Sequence, residues 1–269
     1  MKKKLQYGLF FVAIFFFFSC NNSKIDEKLN HQVNHELNKD CGEVHWTYNE
    51  DEHGPTNWKN LCDGFSACGE KSQSPINIIT NEGIVDSNLL ALEINYISTP
   101  VNIVNNGHTI QFNVSGNNTI SISDKDYKLL QFHFHAKSEH TMNGNHYPIE
   151  VHFVNQYSSS DYSVIGVMFE EGEINELLTE FLPIFPESKG EYNSEKIIDL
   201  KKLFPNNLSY YNYNGSLTTP PCSEVVNWIV LKNTIEASNE QIEKFSKILN
   251  GNYRPIMPLN ERKILMFNE

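Results

Sequence analysis

The stretch Gln131-Phe132-His133-Phe134-His135 alternates polar side chains with phenylalanines. On a β-strand, alternate side chains share one face of the sheet. The pattern therefore predicts a strand that buries Phe132 and Phe134 on one face and presents two imidazoles together on the other. Two ligands on one rigid strand supply half of a metal site, although paired histidines also occur as ordinary surface or core residues.

A second alternating stretch, Glu150-Val151-His152-Phe153-Val154, supplies a third histidine. Three histidines with one open position form the catalytic type of zinc site rather than the closed structural type. Glu150 stands two residues before His152, and Gln131 stands two residues before His133. Either side chain could fix the tautomer of its histidine, or could be an ordinary polar residue of a half-solvated strand. The predicted ligands of Zn²⁺ are His133, His135 and His152.

From about residue 90 onward the chain continues to alternate, which predicts a mainly β protein. Helix patterns are few and short, at residues 174–181, 194–203 and 238–249, and the last begins with a Ser238/Gln241 capping box. No repeat and no interdomain linker follows residue 40. The predicted strands include residues 103–104, 110–114, 120–122, 130–134, 151–154, 164–169 and 228–231.

The composition limits the kinds of partner. The length of 269 residues is compatible with one large domain or two small ones, and the hydrophobic share of 39% is enough for a sizeable core. Its formal net charge is -12. Because phosphate binding requires a basic surface, we expect no nucleic-acid partner. A small neutral or anionic substrate fits this charge.

The N-terminus has the pattern of an export signal, with three lysines before an apolar run at residues 5–18 and then Ser19-Cys20. The run is shorter than the roughly 20 residues that a membrane-spanning helix needs. Because the end of the run resembles a bacterial lipobox, we predict a signal peptide at residues 1–19 and lipidation of Cys20. Simple secretion with cleavage nearby is the alternative. Residues 20–40 would form the lipid attachment site and a flexible tether, and residues 41–269 the folded domain.

The predicted location is therefore periplasmic or at the cell surface, with membrane contact only through the lipid anchor. Four cysteines remain once Cys20 is set aside, and four cysteines allow three disulfide pairings. Export makes such pairing chemically reasonable, whereas free buried thiols are the alternative.

Several further stretches resemble α-carbonic anhydrases, in the order in which that family carries them. The likeness runs from about Trp46 to Ile264. The stretches are Gln73-Ser74-Pro75-Ile76-Asn77-Ile78, Asn105-Asn106-Gly107-His108, Ser138-Glu139-His140-Thr141, Gly215-Ser216-Leu217-Thr218-Thr219-Pro220-Pro221 and Tyr253-Arg254-Pro255 with Pro258-Leu259.

The resemblance implies a single domain around a central twisted, largely antiparallel sheet, and a lyase that reversibly hydrates CO2 to bicarbonate and a proton through zinc-bound hydroxide. Thr218 would accept a hydrogen bond from the hydroxide and donate one to Glu139. His108 would carry the proton to buffer. Release straight to water from a group of pKa near 7 is limited to about 10³ s⁻¹, so faster turnover needs such a relay.

The resemblance also implies the remaining parts of the site. A disulfide would join Cys68 to Cys222, which leaves Cys41 and Cys62 to pair with each other. Gln111 stands where the family frequently has asparagine, so the water network could differ in detail. The implied substrate pocket is Val154, Val164, Leu217, Thr219, Val226 and Trp228, and the implied water-organising residues are Tyr48, Asn106 and Gln111.

Two other functions stay open at this stage. A surface-displayed binding module could keep the same fold and use its exterior for a partner, since some members of the family have lost their ligands. A zinc esterase could use the same site as a side activity. The intact histidine triad favours the hydration reaction over the binding module as the main function.

Overall fold

The alternating stretches form strands in the computed structural model of the chain, which describes residues 41–186 and 188–269. The predicted signal peptide, Cys20 and the tether lie outside the described residues. The described strands are β1 (Asn77–Ile78), β2 (Ile84–Val85), β3 (Glu93–Asn95), β4 (Thr99–Asn105), β5 (Ile110–Val114), β6 (Thr119–Ile122), β7 (Lys125–His135), β8 (Thr141–Met142), β9 (Asn145–His146), β10 (Ile149–Ser158), β11 (Asp161–Glu171), β12 (Gly190–Ile198), β13 (Tyr210–Gly215), β14 (Val226–Leu231), β15 (Ile235–Ala237) and β16 (Leu265–Phe267).

Helices are short in the described part of the chain. The α-helices are α1 (Trp58–Leu61), α2 (Glu176–Phe181) and α3 (Asn239–Leu249), and the 3-10 helices are Cys41–Glu43, Asp63–Gly69, Leu182–Ile184 and Leu200–Leu203. None of these helices is long and apolar enough to cross a membrane.

Thirteen of the strands form one large sheet, whose main path runs β12-β4-β5-β7-β10-β11-β14-β13-β16-β2. The strands β7 and β10, which carry the predicted ligands, lie in its middle and pair in antiparallel fashion. Parallel pairing occurs where β11 meets β14 and β15, and where β16 meets β2. The prediction of a mainly β domain around a largely antiparallel sheet is confirmed.

Two of the three predicted helices are present. Ser238 caps α3 and forms the predicted capping box with Gln241, and Asn175 caps α2 by accepting from two backbone N–H groups. The helix predicted at residues 194–203 is wrong, because this segment forms the end of β12 and a 3-10 helix. Ile197 is exposed whereas the next residue, Ile198, is buried. This alternation is expected of a strand, and the strand pairs with β4 at the edge of the sheet.

The two faces of the ligand strands bury different sets of side chains. Phe132, Phe134 and Phe153 are fully buried in the main core, where Phe132 stacks on Phe112 at 4.6 Å between ring centroids. Burial of each such ring contributes on the order of 1.5–3 kcal/mol. The histidines alternate with these rings and therefore lie on the opposite face, which the core packing fixes in place.

Candidate metal centre and active site

Strand register brings the three predicted ligands together. His152 on β10 lies directly opposite His133 on β7, and Glu150 lies opposite His135. The three imidazoles lie 4.6 to 5.3 Å apart between ring centroids, and their ligand atoms all lie within 4.8 Å of one another. His135 and His152 are buried and His133 is partly exposed. The three residues can hold a metal ion.

Each ligand on β7 has one ring nitrogen occupied. Nδ1 of His133 lies 2.8 Å from Oε1 of Gln131, as predicted. Nδ1 of His135 donates to the backbone carbonyl of Asn252. Since an acceptor at Nδ1 holds the proton there, Nε2 of both rings is left as the unprotonated ligand atom.

Glu150 is the centre of a buried polar group around the third ligand. Its Oε1 lies 2.8 Å from Nε2 of His152, although the N–H does not point straight at it, and 2.8 Å from Nδ1 of His140. Its Oε2 accepts from the backbone N–H groups of Glu139 and His140 at 2.8 and 2.9 Å. With Nε2 of His152 beside Glu150, Nδ1 is the ring nitrogen left as the candidate ligand atom, and it lies 3.8 Å from Oε2 of Glu139.

Burial and the neighbouring carboxylate shift the pKa values of these residues in different directions. Burial lowers the pKa of His133 and of His135, so both rings are neutral near pH 7. Burial acts in the same direction on His152, but the neighbouring Glu150 carboxylate outweighs it and raises the pKa of that ring. Burial alone would raise the pKa of Glu150, whereas His140 and His152 hold it well below its ordinary value. Glu150 is therefore a carboxylate able to accept from an imidazole N–H.

Glu139 is buried beside the triad. Its Oε1 accepts from the backbone N–H of Arg254 at 2.8 Å, whereas its Oε2 has no hydrogen-bond partner among the described residues. The predicted hydrogen bond from Thr218 to this carboxylate is not formed. The free oxygen instead faces the ligands, 3.5 Å from Nε2 of His135 and 3.8 Å from Nδ1 of His152.

The chemistry of these atoms fits a bound metal ion. Nε2 of His135 is buried and also lacks a partner among the described residues. A buried polar atom without a partner costs about 1–3 kcal/mol. A cation bound between the three imidazoles would give this nitrogen a partner. Three imidazole nitrogen donors match the ligand set of a catalytic zinc site.

Thr218 lies on the loop that follows β13. Residues of the Gln73-Ser74-Pro75 stretch form hydrogen bonds with this loop. The hydroxyl of Ser216 accepts from the backbone N–H of Ser74 at 2.9 Å, and the side-chain amide of Gln73 donates to the carbonyl of Cys222 at 3.1 Å. A Cβ at Gly215 would collide with the hydroxyl of Ser74, so only glycine allows this close approach.

Both predicted disulfides are formed. Cys68 and Cys222 are bonded at an S–S distance of 2.02 Å across 154 positions, which ties the loop of Thr218 to the N-terminal region. Cys41 and Cys62 are bonded at 2.08 Å across 21 positions.

The predicted apolar pocket residues lie together on the ligand face of the sheet. Val154, Val164, Val226 and Trp228 are buried in one hydrophobic cluster, and Leu217 packs against it. The ring of Trp228 lies 4.8 Å from that of His152 between centroids. Thr219 lies in the loop next to Thr218, and its carbonyl accepts from the N–H of Cys222. The cluster gives the metal centre an apolar neighbourhood on one side.

His108 is held by ring contacts at the turn between β4 and β5. Its imidazole stacks on Trp46, with ring centroids 3.7 Å apart and the planes 9° from parallel. Burial, with Lys189 and His45 nearby, lowers the pKa of His108. Oδ1 of Asn106 accepts from the backbone N–H groups of His108 and the next residue at 2.9 Å, so this oxygen holds the turn.

The other two water-organising residues are placed differently. The side-chain amide of Gln111 donates to Oδ1 of Asn113 at 2.6 Å, and Gln111 lies opposite His133 in the strand register. The ring of Tyr48 packs edge-on against Trp46, and burial with the nearby Glu139 carboxylate raises the pKa of its hydroxyl well above the ordinary value. Tyr48 is therefore neutral at ordinary pH.

Sequence reasoning missed three residues of the site: Asn252, His140 and Trp46. Asn252 precedes the Tyr253-Arg254-Pro255 stretch, and His140 follows Glu139 in a stretch already singled out, so motif position was an available signal. Nε2 of His140 also contacts the hydroxyl of Tyr213 at 2.6 Å, which anchors the group around Glu150.

Comparison with known proteins identifies the family. The family model of eukaryotic-type carbonic anhydrases matches residues 53–268. The carbonic anhydrase of Pectobacterium atrosepticum is 40% identical over 225 residues, which are 82% of this chain and 91% of that protein. That of Neisseria gonorrhoeae is 38% identical over 225 residues, covering 82% and 88%.

A solved structure shows the same fold as this chain. The α-carbonic anhydrase of Thermovibrio ammonificans, in complex with the inhibitor sulfanilamide, superimposes with a TM-score of 0.80 and 43% identity, covering 83% of this chain and all of that one. The prediction of a CO2-hydrating enzyme is confirmed, and the chain belongs to the eukaryotic-type, α-class carbonic anhydrase family.

Proposed function

We propose that this carbonic anhydrase holds one Zn²⁺ with His133, His135 and His152. The observation that carries the proposal is the convergence of three imidazoles whose other ring nitrogens face Gln131, Asn252 and Glu150. Imidazole donors suit zinc, whereas magnesium and calcium prefer oxygen ligands. Bound zinc supplies a coordinated water of lowered pKa, which is about 7 in carbonic anhydrases as a class.

The chain's own residues would orient the reaction. Oε1 of Glu139 accepts from Arg254, and its Oε2 faces the imidazoles in this structure. With a metal ion held by the imidazoles, this carboxylate would turn to accept a hydrogen bond from the hydroxyl of Thr218. Thr218 would then use its lone pair to accept from the attacking oxygen, which fixes the direction of attack. The cluster around Val154 and Trp228 would hold CO2, because an apolar wall suits a molecule without charge or dipole.

His108 would receive the proton that the reaction releases. It lies beside Tyr48 at 6.5 Å between ring centroids, and its stack on Trp46 leaves it partly exposed. The lowered pKa makes the ring a readier proton donor to buffer than a free histidine, although a weaker acceptor.

Metal exchange tests the proposed function. The purified enzyme should contain one zinc per chain by elemental analysis. A chelator should abolish CO2 hydration in a stopped-flow assay, and Zn²⁺ should restore it whereas Mg²⁺ should not. A full hydration rate in metal-free protein, or recovery with Mg²⁺, would show that the histidine triad is not a zinc centre.

We further propose that the enzyme is exported and lipidated at Cys20. The lysines and apolar run before Ser19-Cys20 support this location, and so do two disulfides, which persist in oxidising compartments. The native protein should sediment with membranes, whereas Cys20→Ser should abolish lipid attachment, measured by mass spectrometry. Recovery of the wild-type enzyme entirely in the soluble fraction would reject the anchor and leave plain secretion.

A further inference from the structure

A cavity of about 380 Å³ lies beside His108, lined among others by His45, Trp46, Lys189 and Asn250. One water needs only about 10–15 Å³ of such space, so the cavity has room for a ligand of several heavy atoms together with water. The substrate pocket residues around Val154 and Trp228 are not part of this lining. The cavity is therefore separate from the apolar wall proposed for CO2.

The permanent charge among the described lining residues is opposite in sign to that of the chain. These residues include one lysine, Lys189, and two histidines, His45 and His108, but no aspartate or glutamate. The chain as a whole carries a formal net charge of -12. A concave site with one sign of charge raises the local concentration of ligands of the other sign. The cavity therefore favours a small anion.

Gly107, the residue before His108, leaves room for the side chain of Lys189 to lie close to this turn. Gly107 adopts a φ of +89°, and a Cβ there would collide with the lysine side chain and lie 3.0 Å from its Nζ. Among the described residues, Lys189 forms neither an ion pair nor a side-chain hydrogen bond, unlike Lys125, which pairs with Asp161 at 2.7 Å. Its ammonium group is available to a ligand.

The two other basic groups also face this cavity. His108 is stacked on Trp46, and His45 lies 5.8 Å from His53 between ring centroids. Lys189 and His45 line the same cavity as His108, so the three side chains surround one small volume. Any proton acceptor in the cavity would lie next to the imidazole that has to lose a proton.

We propose that the cavity is a docking site for an anionic proton acceptor, a small oxyanion such as hydrogenphosphate, held by Lys189 and His45 beside His108. The proposal rests on the proposed role of His108 as the proton carrier. The imidazolium N–H bond breaks, and an O–H bond forms on the anion. The products are neutral His108 and dihydrogenphosphate, which carries one negative charge less and is released more readily.

Two proton acceptors of different charge test the proposal. CO2 hydration at saturating CO2 and constant ionic strength is measured against phosphate concentration, and separately against imidazole. Lys189→Gln should raise the phosphate concentration that gives half of the maximal rate by about 2- to 5-fold, the range for one exposed charge contact. The imidazole curve should shift less, because neutral imidazole gains nothing from the lysine and responds only to the change in the pKa of His108.

Lys201→Gln is the matched control, since Lys201 is exposed and does not line the cavity. It should change neither curve. If Lys189→Gln leaves the phosphate curve unchanged, or shifts both curves equally, the docking site is rejected. An equal shift would mean that Lys189 only sets the basicity of His108.

A binding measurement separates this proposal from the proposed function. Phosphate is titrated into the metal-loaded enzyme while the histidine C–H signals are followed by NMR. Saturable shifts at His45 and His108, weakened in Lys189→Gln and retained in Lys201→Gln, would support the site even if His108 proved not to carry the proton. Absence of saturable shifts in the wild-type enzyme would overturn the site while leaving the hydration reaction untouched.

Discussion

The ligand strands and the turn of His108 hold their imidazoles by different means. His133 and His152 lie opposite each other on the paired strands β7 and β10, where cross-strand register and a neighbouring polar side chain position each ring. His108 follows a glycine turn and is held by a ring stack on Trp46. A metal centre needs ligands fixed to within tenths of an ångström, whereas a proton carrier has to exchange partners. Each kind of support suits its task.

The loop of Thr218 is intermediate between these two regions. It has no ladder partners along its length, but the Cys68–Cys222 disulfide and the hydrogen bonds of Ser74 fix it from outside the sheet. We expect substitutions to damage metal binding on the strands, stability at the loop anchor and proton release at the turn.

The largest effect is expected on the ligand strands. His152→Ala should lose zinc, because β7 alone offers only two ligands. CO2 hydration in the presence of this variant should then be no faster than the uncatalysed reaction. The measurement is elemental analysis together with stopped-flow hydration. His53→Ala, at a partly exposed histidine outside the triad, should retain both zinc and activity. Full zinc occupancy in His152→Ala would mean that the third ligand is a different residue.

The second effect concerns the loop anchor. Replacing Cys68 and Cys222 together by alanine should lower the free energy of unfolding by about 4 to 5 kcal/mol, since the disulfide closes a loop of 154 positions. The matched pair is Cys41 and Cys62, whose loop of 21 positions predicts a smaller loss of about 3 kcal/mol. Denaturant unfolding under non-reducing conditions measures both. Equal losses of unfolding free energy in the two double variants, or a larger loss for Cys41 and Cys62, would contradict the view that the Cys68–Cys222 disulfide is the main anchor of the loop.

Thr218→Ala is expected to act on chemistry while leaving the metal in place. Losing one positioned hydrogen-bonding group costs on the order of 10² in kcat/KM. Zinc content should stay at one per chain, because the ligands belong to β7 and β10. Thr119→Ala, on β6 away from the site residues, is the control and should have the wild-type rate. An unchanged rate in Thr218→Ala would remove this hydroxyl from the mechanism.

The smallest of these effects belongs to the turn. His108→Ala should lower kcat in weak buffer toward the roughly 10³ s⁻¹ that direct proton release to water allows. It should leave kcat/KM for CO2 nearly unchanged, because hydration itself is intact, and added imidazole should restore the rate. If kcat/KM falls equally with no rescue by imidazole, His108 has a structural role instead of carrying the proton.

The ligand set could be predicted from the sequence because strand periodicity is local. Alternation alone places His133 and His135 on one face, and Glu150 with His152 on one face of the partner strand. The disulfide pairing and the loop of Thr218 depended on the resemblance, because contacts across 154 positions leave no local pattern. The helix predicted at residues 194–203 failed because the edge of the sheet captured that segment as β12.

Contacts made by single backbone atoms were the least accessible to sequence reasoning. The carbonyl that accepts from His135 belongs to Asn252, 117 positions away, and any residue type offers a carbonyl. Two side-chain arrangements were equally inaccessible. The ring stack between Trp46 and His108 depends on where two distant loops meet. The free oxygen of Glu139 faces the imidazoles rather than Thr218, an orientation that only the folded arrangement determines.

The most direct test of the account is an anomalous difference map from crystals of the enzyme as purified, recorded on both sides of the zinc absorption edge. We predict one peak, present only above the edge, about 2.0–2.1 Å from one nitrogen each of His133, His135 and His152. The same map should leave Gln131, Asn252 and Glu150 outside the coordination shell. A peak bound by a carboxylate or sulfur in place of an imidazole, or no peak at the triad, would contradict the claim that the register of β7 and β10 builds the zinc centre.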